Sequence, residues 1–102
     1  MNDEQLDRIF KALADPTRRR IIDRLRERPG QSLFQICAIS AATDGKVLSR
    51  QAISQHLDML EKAGLLKISW LAQTKIHTLD LGPLQDAVEL WLARHLQEGN
   101  DP

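Results

Sequence analysis

Five polar residues near the middle of the chain, Arg50, Gln51, Ser54, Gln55 and His56, carry the groups that hydrogen-bond base edges and phosphate oxygens in a major groove. Their spacing places them on the exposed side of a helix. The stretch SRQAISQHLDMLEKAGLL, residues 49–66, supplies the other side too. Ala52, Ile53, Leu57, Leu60 and Ala63 recur three and four residues apart and make an apolar stripe. Ser49 is placed to cap the helix by accepting a backbone N–H one turn on. Gly64 stands where a left-handed residue ends a helix. The first two turns contain no acid; Asp58 and Glu61 come later. A helix start that faces phosphate favours that order, because a carboxylate there would be repelled. An ordinary amphipathic surface helix also has a polar face, so the weight falls on the elements around it.

Residues 3–14 read as a first helix, with Leu6, Ile9, Phe10 and Leu13 as its apolar stripe and Asp3 as its cap. Asp15-Pro16 breaks it and starts the next, Asp15 as N-cap and Pro16 in the first turn. That second helix runs to about Arg28, buries Ile21, Ile22 and Leu25, and stops at Pro29-Gly30. A third begins near Ser32 and buries Leu33, Ile36, Cys37 and Ile39. The connector that follows, AISAATDGKVL, exceeds a tight helix-turn-helix link. Either the third helix is extended or a loop is inserted, with Asp44-Gly45 as a turn signal. After Gly64, LLKISWL and KIHTLDL flank a short turn, AQT, and read as a β-hairpin. Pro83 fits the first turn of a last helix over 82–97, with Leu84, Val88, Trp91, Leu92 and His95 along one side. The fold expected is mainly α with a small β-hairpin (α+β): a winged helix-turn-helix in the order α-α-α-α-β-β-α. Its fourth helix enters the groove and its third braces it.

A chain of 102 residues with 42% hydrophobic content has room for one domain, residues 1–102, and a modest core. The formal net charge is zero, but it is unevenly spread. Residues 16–75 hold 11 Lys and Arg against 5 Asp and Glu, a net of +6, so the flanks carry −6. A basic centre between acidic ends suits a middle that meets nucleic acid, although a solvated arginine face on the second helix gives the same count. Cys37 is the only cysteine, which rules out an internal disulfide and suits a reducing cytoplasm. No apolar run is long enough to span a bilayer and no signal peptide is read.

Taken together, FKALADPTRRRIIDRL, SRQAISQHLDMLEKAGLL, and a hairpin ending in LDLGPL before a helix with Trp91 resemble the ArsR family of winged-helix repressors over roughly residues 6–96. The most specific pieces are Ala14-Asp15-Pro16-Thr17-Arg18 and Ser54-Gln55-His56-Leu57 followed by Ala63-Gly64-Leu65. The resemblance implies a homodimeric regulator on a double-stranded DNA operator, with a recognition helix that supplies Arg50, Gln51, Ser54, Gln55 and His56; Ser49, Lys62, Lys67 and Lys75 complete the expected DNA contacts. Two departures stand out. The connector before the fourth helix is long, and the hairpin tip, Leu71-Ala72-Gln73-Thr74, lacks the arginines of strong wings.

Many members of the family sense metal ions. Here Cys37 has no partner thiol, and Asp86, Glu89, His95 and Glu98 offer one His only, so neither a metal site nor a cofactor is expected. The first and last helices carry more apolar residues than a small core needs. Leu6, Ile9, Phe10 and Leu13 with Leu84, Val88, Trp91 and Leu92 are the expected dimer interface, and Leu90 and Leu96 add area. No nucleophile–base pair and no phosphate loop is present, so an enzyme is not expected. The competing reading is a winged-helix module that binds protein and has lost specific DNA binding. The residues name no effector.

Overall fold

The computed structural model describes residues 1–44 and 48–99, with side chains described over 1–40 and 48–96. Helix α1, Asp3–Leu13, is capped by Asn2. Its side chain accepts from the Gln5 backbone N–H at 2.9 Å, and the Gln5 side chain accepts from the Asn2 N–H at 3.0 Å. This capping box moves the cap from Asp3, the residue expected, to its neighbour. Asp3 instead sits in the first turn, where its charge meets the positive helix end. Helix α2, Pro16–Glu27, starts as its sequence dictates: the Asp15 carboxylate accepts from the Arg18 N–H at 3.0 Å, and Pro16 lacks only an N–H the first turn leaves unpaired.

Helix α3, Leu33–Asp44, opens on a second capping box between Ser32 and Gln35. It settles the open question of the connector in favour of an extended helix; Gly45, Lys46 and Val47 lie outside the described residues. Helix α4, Arg50–Lys62, is capped by the Ser49 hydroxyl, which accepts from Ala52 N–H at 3.0 Å. It ends in a Schellman turn. Gly64 takes φ 78°, its N–H donates to the Glu61 carbonyl and the Leu65 N–H donates to Leu60.

Strands β1, Leu66–Leu71, and β2, Thr74–Leu79, follow at once as an antiparallel hairpin, paired from Leu66↔Leu79 out to Leu71↔Thr74. Its loop is Ala72-Gln73, and Ala72 holds φ 54°, a backbone shape that favours glycine. Beyond the hairpin, Gln31 and His77 form an isolated antiparallel bridge through N–H···O contacts of 2.8 and 3.0 Å. The base of the hairpin is thereby tied to the α2–α3 connection. The last helix, α5, has three stretches: α-helical Gly82–Ala87, a π-helical turn Val88–Leu92, and α-helical Ala93–Gly99. In the middle stretch the Ala93 N–H donates five residues back, to Val88.

The core gathers Ile21, Ile22 and Leu25 of α2, Ile36 of α3, Ile53, Leu57 and Leu60 of α4, and Leu65 and Leu66 at the start of the hairpin. Helices α2 and α4 contribute the stripes their periodicity marks, whereas α1 sends Ala12 into the cluster with Leu13 packed against it. Removing any of these large side chains costs about 2–5 kcal/mol, so the seat of α4 is well fixed.

Candidate nucleic-acid interface

Helix α4 uses one side for the core and offers the other. Ile53, Leu57 and Leu60 are buried, while Arg50, Gln51 and Gln55 are exposed and Ser54 is half-buried. Arg50 and Ser54 also line a groove of about 500 Å³ between α4, the start of α3 and β2. Thr74 and Lys75 of β2 and Ser32 and Phe34 at the start of α3 complete its rim. The fold thus brings the helix face, a helix N-terminus and the wing to one surface, with Arg50 in the first turn and the acids Asp58 and Glu61 further down the groove.

The wing is sparing with charge. Lys67 is exposed on β1, but Lys75 is shared with Glu61, its Nζ 3.5 Å from the carboxylate. With both side chains more than a third exposed, that pair holds Lys75 only loosely. The tip is apolar instead: Trp70 and Leu71 are 65% and 72% exposed.

Two expected contacts lie elsewhere. Lys62 is exposed but sits at the far end of α4, roughly 18 Å from Arg50 by helical rise, beside Gln5 and Arg8 of α1 and Pro83 and Asp86 of α5. His56 turns inward. Its Nδ1 lies 3.2 Å from Arg18 Nη1 and 4.0 Å from an Asp15 carboxylate oxygen. Arg18 is itself buried; its Nε donates to the Ala12 carbonyl and its Nη2 to Lys11, both at 2.8 Å. Burial pushes the Asp15 carboxyl upward, but the Arg18 backbone N–H and the charges of His56 and Arg18 outweigh it and hold the group below the ordinary carboxylate range. The sequence marked Arg18 as the end of the Ala14-Asp15-Pro16-Thr17-Arg18 motif, but nothing in the spacing of the three successive arginines showed that it is the inward one.

His77 is buried. Its Nδ1 lies 3.0 Å from the Gln31 carbonyl and donates to it, so this histidine belongs to the wing anchor. Cys37 is half-buried against the core. Among the described residues no group of three or more His, Cys, Asp or Glu is placed to hold a metal ion, and no helix is long and apolar enough to cross a membrane.

On the terminal helices the expected interface divides. Ile9 is 1% exposed within one chain and has no surface left for a partner, a correction to that expectation. Leu13 and Leu84 pack against the core, and Leu6 and Leu92 are half-buried. Phe10, Val88 and Trp91 remain open, with Leu90 and Leu96 beside them. Phe10 meets Trp91 edge to face at 6.0 Å, and His95 stacks on Trp91 at 4.3 Å while its Nδ1 donates to the Trp91 carbonyl.

Comparison with known proteins agrees with this geometry. A helix-turn-helix domain family matches residues 13–68. The HTH-type transcriptional regulator YuzN of Bacillus subtilis (strain 168) is 35% identical over 86 residues, 84% of this chain and 94% of that protein. The transcriptional repressor SdpR of the same organism is 28% identical over 101 residues, 94% of this chain and 98% of its own. A crystal structure of an ArsR family transcriptional regulator superposes with a TM-score of 0.81 at 26% identity, covering 100% of this chain and 97% of that one. The fold order, the exposed face of α4 and these likenesses agree, and the chain belongs to the ArsR family of winged helix-turn-helix transcriptional regulators.

Proposed function

We propose that this DNA-binding transcriptional regulator acts as a homodimeric cytoplasmic repressor without enzymatic activity, and that it reads a palindromic operator through α4. Arg50, Gln51, Ser54 and Gln55 face the bases, Ser49 caps the helix at its phosphate-facing end, and Lys67 and Lys75 reach flanking phosphates from the wing. The observation that carries this reading is the division of α4. Its apolar side is consumed by the core, while a side of amides, a hydroxyl and a guanidinium stays open. The repressor sense draws on the name of its relative SdpR.

The dimer draws on Phe10, Val88 and Trp91, an apolar strip that α1 and α5 leave uncovered. Residues 1–102 then work as one unit, with the terminal helices holding two copies so that their α4 helices lie one DNA turn apart, roughly 34 Å. His56 is left out of the base-reading set because its Nδ1 is turned toward α2, and Lys62 because it lies with the terminal helices.

A second reading, a winged-helix module that binds protein, is favoured by one feature: Trp70 and Leu71 are open where cationic side chains would suit DNA. Fluorescence anisotropy with the DNA upstream of the coding sequence separates the two. The triple variant Arg50→Ala, Gln51→Ala, Gln55→Ala should lose sequence preference by at least about 100-fold and keep its dimer. Retained preference in that variant would refute the assignment of α4.

A further inference from the structure

We propose that the hairpin tip is an apolar wedge: Trp70 and Leu71 enter the DNA minor groove beside the segment read by α4 and prise open a base step there. The inference rests on α4 being the helix that meets DNA. Both side chains stand at the outer end of β1, 65% and 72% exposed. They are successive strand residues, so they project from opposite faces of the ribbon. Two positions back on each face the open apolar surface has ended, since Ile68 packs against the core and Ser69 is exposed and polar. A hairpin that docks flat on a protein gathers its apolar residues on one face, at alternate positions. A wedge needs them on both, one toward each base pair of the opened step.

Position and charge make DNA the occupant. Strand β2 brings Thr74 and Lys75 to the same groove that Arg50 and Ser54 of α4 line, so the hairpin continues the DNA-facing surface. A helix seated in the major groove leaves the element beside it over the adjoining minor groove. Lys75 pairs directly with Trp70 across the hairpin and shares its face. Its ammonium is held only loosely by Glu61, at 3.5 Å. Lys67 is exposed on the face that carries Leu71. Each apolar side chain thus has a cation behind it on its own face, as a groove walled by phosphates requires.

The hairpin is also anchored for insertion. Its strands make an arm of roughly 17 Å, rooted in buried Leu65 and Leu66 and in the Gln31–His77 bridge. The loop is only Ala72-Gln73, so Trp70 and Leu71 stand at the leading end. Apolar side chains inserted from the minor groove unstack a step and kink the duplex toward the major groove. Unstacking is easiest at pyrimidine–purine steps such as TA. The wedge therefore confers a sequence preference at positions that no side chain of α4 reaches.

The test uses a duplex selected by the full-length wild-type protein from a random library. Fluorescence anisotropy gives its affinity, and energy transfer between dyes at the duplex ends gives its bend. Wild type should bend the duplex by at least about 20°. The double variant Trp70→Ala, Leu71→Ala should leave it straight, lose about tenfold in affinity and keep the salt dependence of wild type, because no phosphate contact is removed. Replacing a TA step outside the α4 segment by AA should weaken wild type about fivefold and the double variant not at all. Trp70→Lys, a second variant with a conventional cationic tip, should bind with a steeper salt dependence and without the bend. A straight duplex on wild type would overturn the wedge, as would a bend that persists in the double variant. Wild-type affinity in the double variant would overturn it too, and would leave the tip to a protein partner. Failure of wild type to select any duplex would instead refute the DNA reading of α4, and the wedge with it.

Discussion

Trp91→Ala should split the dimer, and the structure sets the size of the effect. Trp91 is 38% exposed in a single chain, and a tryptophan presents on the order of 250 Å², so about 95 Å² per protomer awaits cover. At about 25 cal/mol per Å² that is about 2.4 kcal/mol per copy if a partner covers all of it, and twice that across a two-fold axis. Half coverage leaves about 2.4 kcal/mol for the dimer, a rise in the dimer Kd of roughly 50-fold. The same substitution removes the edge contact with Phe10, worth about 0.5–1.5 kcal/mol inside the monomer. Thermal unfolding must therefore be followed alongside sedimentation velocity. Val88→Asp is the companion variant, since Val88 is half exposed and its loss leaves the monomer core intact. A dimer Kd within about threefold of wild type in both variants would refute the interface, as would a monomeric wild type at micromolar concentration.

Two further outcomes are local. Ala72→Gly relieves the positive φ at the hairpin tip and should stabilise the hairpin by about 0.5–1 kcal/mol, read as slower amide exchange across β1 and β2; unchanged exchange would mean the turn carries no strain. Asp15→Ala removes the α2 cap and should cost about 1 kcal/mol at neutral pH. Because the folded carboxyl lies below its ordinary value, the wild-type advantage is fully present above that value and fades as acid protonates the folded group. Denaturation at a series of pH values should show the two proteins converging on the acid side.

The elements were legible because each carries a local signal. Asp15-Pro16, Ser49 and Gly64 mark their helix ends by caps and turns that need only near neighbours, and all hold. The apolar stripes of α2 and α4 reach the core because a 3.6-residue period already fixes which side is wet. What escaped the sequence depends on distance or on a single inserted residue. Gln31 and His77 are 46 positions apart and form one isolated bridge, too little for any pattern. Arg18 sits among arginines that stay at the surface, and only its spatial neighbours in α1 and α4 draw it inside. Ile9 shares its stripe with Phe10 and Leu13, and periodicity cannot say which member a partner would meet. The same gap explains the site: the open face of α4 was readable, but the inward turn of His56 was not.

The π-helical turn at Val88–Leu92 has a consequence for partner choice. It adds a residue without adding a full step of rotation, and each α-helical residue turns the chain by about 100°. Side chains past Ala93 therefore sit about a quarter-turn from where an uninterrupted helix would set them. Among the described residues, only Leu96 of the exposed apolar side chains lies beyond that turn, so a regular last helix would set this position a quarter-turn away from the ridge of Val88 and Trp91. In the proposed dimer, a mixed pair with such a regulator would therefore lose whatever contact Leu96 adds.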